Sequence, residues 1–306
     1  MKLIFALKNT ILTPLKGGIH KANSLSLTPM PLKRGSRRAN LFSLRIMLVK
    51  GRVSDDSPLL SSGESQQRLP KNDRRRERFI ILALYVLLLA GGLWHVLNVF
   101  QTAMQVLAAP MIVGLCAVLC WEYLITQPDS LQVNEESSQA KRESRRTKFA
   151  LWSLGVFGGG FLIELLGVKT GAIFGSYVYG QTLQPLLGNV PLVIGCAWLN
   201  MLLSSSALAQ RILPQRLSAH ALPLSFTVAL LMVLFDAFME PAAMKLGYWH
   251  WSAQKIPLRN FFAWLVFGVM LAYWGARWRI FPPRMTTIPL HAYFAQLGYF
   301  TMVNVS

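Results

Sequence analysis

After residue 78 the chain is built from seven largely apolar stretches of about 16 to 23 residues, close to the roughly 20 that an α-helix needs to cross a hydrocarbon core. They run over approximately 79–98, 103–125, 149–168, 190–210, 220–240, 261–276 and 288–304. Lipid offers no hydrogen bonds to open backbone groups, so such stretches must be helical. The reading is therefore an all-α, polytopic membrane helix bundle of seven transmembrane helices. Only 14% of the residues are charged, against about a quarter in soluble domains, which argues against a soluble globular enzyme.

The net charge of +18 is unevenly placed, with 17 Lys and Arg against 5 Asp and Glu in residues 1–78. That segment mixes Ser, Pro, Gly, Lys and Arg without an apolar period, so a disordered basic tail is expected over 1–78, followed by a transmembrane helical domain over 79–306. The tail has no Asp or Glu before Asp55, as in a targeting segment or an over-extended reading frame, with Met30 and Met47 as alternative starts. Beyond it the basic residues lie between apolar runs and form no aromatic-studded surface, which speaks against nucleic acid as a partner.

The positive-inside rule tests the span count separately. With Arg74, Arg75, Arg76 and Arg78 cytoplasmic, the same side receives Lys141, Arg142, Arg145, Arg146, Lys148, Arg211, Arg216, Arg277, Arg279 and Arg284. The other side receives Lys169, Lys245, Lys255 and Arg259. The amino terminus is expected in the cytoplasm and the carboxyl terminus outside. The external connections 169–189 and 241–260 are rich in Tyr, Trp, Gly and Pro, which suits segments lying in the interface or folding back as lids.

Ionisable residues inside spans are costly and are functional candidates by default. Glu164, Asp236 and Glu240 fall on the external half of the membrane; Glu122 lies near the cytoplasmic end of its span, where hydration makes it the weakest candidate. Asp236 and Glu240 are four apart and share a helix face. Such a pair can hold one proton between them and so set a donor beside an acceptor. The structural alternative has Glu240 at a helix end beside Pro241 and Asp236 held by a hydrogen bond. Gly158, Gly159 and Gly160 precede Glu164 and permit close helix approach.

Asn200 and Asn260 need partners inside the membrane, with cross-helix bonding as the ordinary outcome. Tyr177, Tyr179, Trp198, Trp249 and Trp251 suit interface anchors, or π faces that stabilise a cation. Cys116, Cys120 and Cys196 lie in apolar runs without zinc spacing and read as filler. His95 and His250 do not make a metal site, and no metal is expected.

Five strings occur in order: ELLGVKTGAIFGSYVY at 164–179, NVPLVIGCAW at 189–198, DAFMEP at 236–241, GYWHW at 247–251 and IPLRNFFAW at 256–264. Together they resemble the integral-membrane carotenoid biosynthesis family of the γ-carotene 1′,2′-hydratase and bisanhydrobacterioruberin hydratase type, over roughly residues 80–305. The resemblance implies addition of water to the terminal isolated double bond of a ψ-end carotenoid, a hydro-lyase activity that needs no redox cofactor. It also implies a bacterial inner-membrane enzyme whose partners are a lipid-soluble carotenoid, the bilayer and other enzymes of the carotenoid pathway.

Residue chemistry fits that reading: one carboxyl protonates the alkene, aromatic faces tolerate the tertiary cation and a second carboxylate takes the water's proton. Asp236 is the expected proton donor and Glu240 or Glu164 the group that polarises water. Tyr177, Tyr179, Trp198, Asn200, Trp249, Trp251 and Asn260 are the expected substrate-binding residues. A prenyl transferase would carry paired Asp-rich motifs, whereas the Asp55–Asp56 pair lies in the tail. The competing classes are another membrane isoprenoid-modifying enzyme and a transporter or pigment-binding protein.

Overall fold

The structure, a computed structural model, describes residues 71–125, 135–282 and 285–306. Seven helices of at least 18 residues match the seven apolar stretches: α1 Lys71–Val96, α2 Gln101–Ile125, α3 Glu135–Thr170, α4 Ile194–Ile212, α6 Ala221–Lys245, α7 Leu258–Arg277 and α8 Ile288–Val305. The short α5 covers Gln215–Ser218. Among the described residues, five helices are long and apolar enough to cross a membrane: α1, α2, α3, α6 and α7. Phe79, Leu82, Val86 and Leu93 of α1 and Val106 and Val113 of α2 are exposed, as expected where the solvent is lipid.

Of the two helices outside that set, α4 is polar for a reason its position explains. α4 packs against α2, α3, α6, α7 and α8, so it is enclosed by protein and needs no apolar outer stripe. Its Asn200, Ser204, Ser205 and Ser206 are buried. Ser204 donates to Asn200 O at 2.6 Å and Ser206 to Leu203 O at 2.9 Å, which returns their hydroxyls to the helix backbone. α8 packs against α1, α4 and α6.

Two helices begin earlier than expected. α1 starts at Lys71, eight residues before the apolar run, because its polar first turns find partners. Arg76 pairs with Glu122 at 2.9 Å, and Glu77 accepts from the amide and hydroxyl of Thr287. Residues 71–78 are thus helical instead of part of a disordered tail; the expectation for residues 1–70 lies outside the described residues. Glu122 is fully buried, not hydrated, because Arg76 and the Thr286 hydroxyl at 2.9 Å reach it there. α3 starts at Glu135, and its 36 residues span about 54 Å at 1.5 Å per residue, well beyond the hydrocarbon thickness. Its exposed charged segment 141–148 therefore projects past the bundle.

The architecture also departs from all-α in the external connections. β1 Tyr177–Tyr179 pairs antiparallel with β4 Trp249–Trp251, setting Tyr177 opposite Trp251 and Tyr179 opposite Trp249. β2 Leu186–Leu187 pairs with β3 Val190–Pro191 across Gly188 and Asn189, whose φ values of 60° and 66° suit a tight hairpin turn. Side chains alternate across a strand. In β1 and β4 this turns Val178 and His250 outward and the four aromatic residues toward the helices.

Candidate functional site

The aromatic face of the β1–β4 ribbon closes over a cavity of about 80 Å³ set among α2, α3, α4, α6, α7 and α8. Nine of the ten expected site residues line it: Glu164, Tyr177, Tyr179, Trp198, Asn200, Glu240, Trp249, Trp251 and Asn260. Asp236 does not. It is fully buried on the α6 face behind Asn260, whose amide donates to Asp236 Oδ2 at 2.8 Å and to Glu240 Oε1 at 3.0 Å.

Each cavity carboxyl is held by its own set of donors. Glu164, on α3, accepts from the Tyr177 hydroxyl at 2.5 Å and the Tyr179 hydroxyl at 2.9 Å on Oε2, and from the Trp198 indole at 3.2 Å on Oε1. Glu240, on α6, accepts from the Trp249 and Trp251 indoles at 2.9 and 2.8 Å on Oε2. The ribbon register produces this division: tyrosines from β1 reach Glu164, and tryptophans from β4 reach Glu240. Burial, and then the Glu164 carboxylate beside them, push both phenols above the ordinary tyrosine range, so they stay protonated donors.

The walls are π-rich. Trp198 and Trp264 stack with centroids 4.2 Å apart and planes 8° from parallel, and Tyr177 lies 4.9 Å from Trp251. Of the three glycines before Glu164, Gly160 alone receives a neighbour: a Cβ there would lie 2.7 Å from Trp198 Cγ, while Gly158 and Gly159 face open space. At the site, the buried acceptors Asp236 Oδ1 and Asn200 Oδ1 have no hydrogen-bond partner among the described residues. The Asn200 amide donates to Ile112 O at 3.1 Å, which ties α4 to α2 at the cavity wall.

Trp264, Phe235, Met239, Tyr248 and Gln296 also line the cavity and were not expected there. Spacing carried some of the signal: Trp264 follows Asn260 by four, and Phe235 and Met239 precede Asp236 and Glu240 by one on the same helix. His250 is exposed and apart from the site. Cys116, Cys120 and Cys196 are free thiols. Among the described residues no group of three His, Cys, Asp or Glu side chains is placed to hold a metal ion.

A membrane helix bundle with a buried site of carboxyls and aromatic rings defines the class, and sequence comparison defines the family. The family model described as "Carotenoid biosynthesis protein" matches residues 137–306, more than half of the chain, and the chain belongs to that family. A bisanhydrobacterioruberin hydratase of Haloarcula japonica is 33% identical over 128 residues, covering 40% of this chain. The matched region spans 43% of that relative's length. No solved structure matches the chain.

Proposed function

We propose that the protein is a carotenoid hydratase that adds water to the terminal isolated double bond of a ψ-end carotenoid. The observation that carries this reading is the convergence of two separately held carboxyls, Glu164 and Glu240, on one buried aromatic cavity. Family membership and the hydratase named among its relatives support it.

In this mechanism Glu240 is the acid. It shares one proton with Asp236, since two adjacent buried carboxylates both ionised are strongly disfavoured and Asp236 Oδ1 has no partner among the described residues. The proton passes to the less substituted alkene carbon, and the π electrons form the new C–H bond. The dimethyl-substituted carbon is left as a tertiary cation facing the rings of Trp198, Trp264, Tyr177 and Trp251. Water attacks that carbon, and Glu164 takes the proton released as the C–O bond forms. Proton transfer back toward Asp236 and Glu240 closes the cycle with no net change in the protein. This proposal gives the donor role to Glu240, which lines the cavity, in place of Asp236, which does not and instead supplies the proton.

The positive-inside pattern supports seven spans with a cytoplasmic amino terminus, and in this reading the membrane is a bacterial inner membrane and the cavity lies in its external half. The carotenoid enters laterally from lipid. Other carotenoid enzymes are its expected partners.

The test is expression of the full chain in a host accumulating lycopene or γ-carotene, with chromatography and mass spectrometry of extracted pigment. Products heavier by one or two waters with an unchanged absorption spectrum are expected, because the isolated end double bond lies outside the chromophore. Unaltered pigment beside correctly inserted protein contradicts the proposal.

A further inference from the structure

Hydration consumes one water per turnover, in a cavity lined mostly by aromatic and aliphatic side chains and covered by the β1–β4 ribbon. Lipid can deliver the carotenoid but not the water. A second, smaller cavity of about 40 Å³ lies at the same end of the bundle, and most of its lining is polar: His95, Gln101, Gln105, Thr182, Lys245 and Tyr248. Its volume exceeds the roughly 10–15 Å³ that one water occupies on this measure, and several polar partners surround it, the two conditions for a hydrated site.

Tyr248 lines both cavities. The polar space and the one that holds Glu164 and Glu240 therefore meet at this residue. Resting on the hydratase reading, we propose that the second cavity is the water port of the enzyme, with Tyr248 as the partition through which water reaches the cation.

The fold fixes the port on several sides. Lys245 donates to the carbonyls of Val303 and Asn304 at the end of α8 and of Ser306 just beyond it, at 3.1, 2.8 and 2.8 Å. The Thr182 hydroxyl donates to Gly247 O at 3.3 Å, and the Gly180 amide donates to Tyr248 O at 2.8 Å. Gly180 sits so close to Gly247 O that a Cβ would lie 2.1 Å from it. The backbone carrying Tyr248 is thereby clamped, while Gln105 on α2 is exposed and opens the cavity outward. Every lining residue lies at the end of the bundle opposite Arg76 and Glu122, so the port opens on the side the charge pattern marks as external.

A covalent plug tests the port. Full-length Thr182→Cys in membranes is treated with a charged, membrane-impermeant methanethiosulfonate, beside the unsubstituted chain as the control for its native thiols. The introduced thiol is expected to be modified, and modification is expected to lower the hydration rate at least tenfold while co-purified carotenoid is unchanged. Gln105→Leu, an exposed change outside the carboxylate cavity, is expected to slow hydration in the same sense without reagent. An unmodified thiol overturns the port, as does a modified protein that hydrates at the unmodified rate. Absence of hydrated product from the unsubstituted chain is the separate result that overturns the hydratase reading itself.

Discussion

Glu240→Gln separates the proton-carrying role of this side chain from its shape. Two indole N–H groups meet Oε2 and the Asn260 amide meets Oε1. The indoles can only donate, so a glutamine must turn its carbonyl toward them and its NH₂ toward Asn260. Asn260 must then turn its own amide over, which sets its carbonyl against Asp236 Oδ2. That contact is a hydrogen bond only if Asp236 carries a proton. Hydrogen bonds to an ionised acceptor contribute about 1.5–3 kcal/mol and neutral ones about 1, so when the shared proton rests on Asp236 the change across the three bonds to Glu240 is about 1.5–6 kcal/mol of local stabilisation. Loss of a general acid lowers rates by about 10²–10⁴-fold. The initial rate of hydrated product in membranes, normalised to inserted protein, is therefore expected to fall at least about 100-fold, equal to about 2.7 kcal/mol of transition-state stabilisation. Glu240→Asp keeps a proton carrier and is expected to recover part of the rate. A Glu240→Gln protein within threefold of the unsubstituted rate would refute the assignment.

Glu164→Gln leaves the Tyr177, Tyr179 and Trp198 donors facing a neutral amide and is expected to slow hydration about 10²-fold or more while carotenoid still co-purifies; normal turnover removes Glu164 as the base. Gly160→Ala sets a methyl 2.7 Å from Trp198 Cγ and is expected to cost about 1–3 kcal/mol by overpacking, visible as a lower melting temperature in detergent and reduced turnover; an unchanged protein contradicts the close approach. Arg76→Met leaves Glu122 buried without its cation. Because the Arg76 side chain is 34% exposed, the expected loss is about 1–3 kcal/mol, below that of a fully enclosed pair, with turnover per folded molecule retained; unchanged thermal stability contradicts the pairing.

The helices were legible because apolar runs of spanning length leave the backbone no other solution. Glu164, Asp236 and Glu240 were legible because a carboxyl in such a run is costly enough to need a reason. The division of labour proposed for them was not. Four-residue spacing puts Asp236 and Glu240 on one face of α6, but the rotation of α6 against α7 decides which of them meets the cavity, and Asn260 stands in front of Asp236. The ribbon was half legible: YVY and WHW alternate with period two, yet their pairing joins residues some 70 positions apart that no local signal connects. Glu122 was misjudged for the same reason, its partner Arg76 lying in what read as a polar tail. The polarity of α4 became intelligible only once five neighbouring helices were seen to enclose it.

Isotope incorporation tests the central claim most directly. Membranes containing the full chain and a ψ-end carotenoid are incubated in water enriched in oxygen-18, and in parallel in heavy water, with the product analysed by mass spectrometry. The account predicts one oxygen-18 in each new hydroxyl and one non-exchangeable deuterium on the adjacent carbon, because both the oxygen and the proton of addition come from solvent. A product hydroxyl without solvent oxygen, or a hydroxylated end that gains no carbon-bound deuterium, contradicts acid-catalysed hydration in the Glu164–Glu240 cavity.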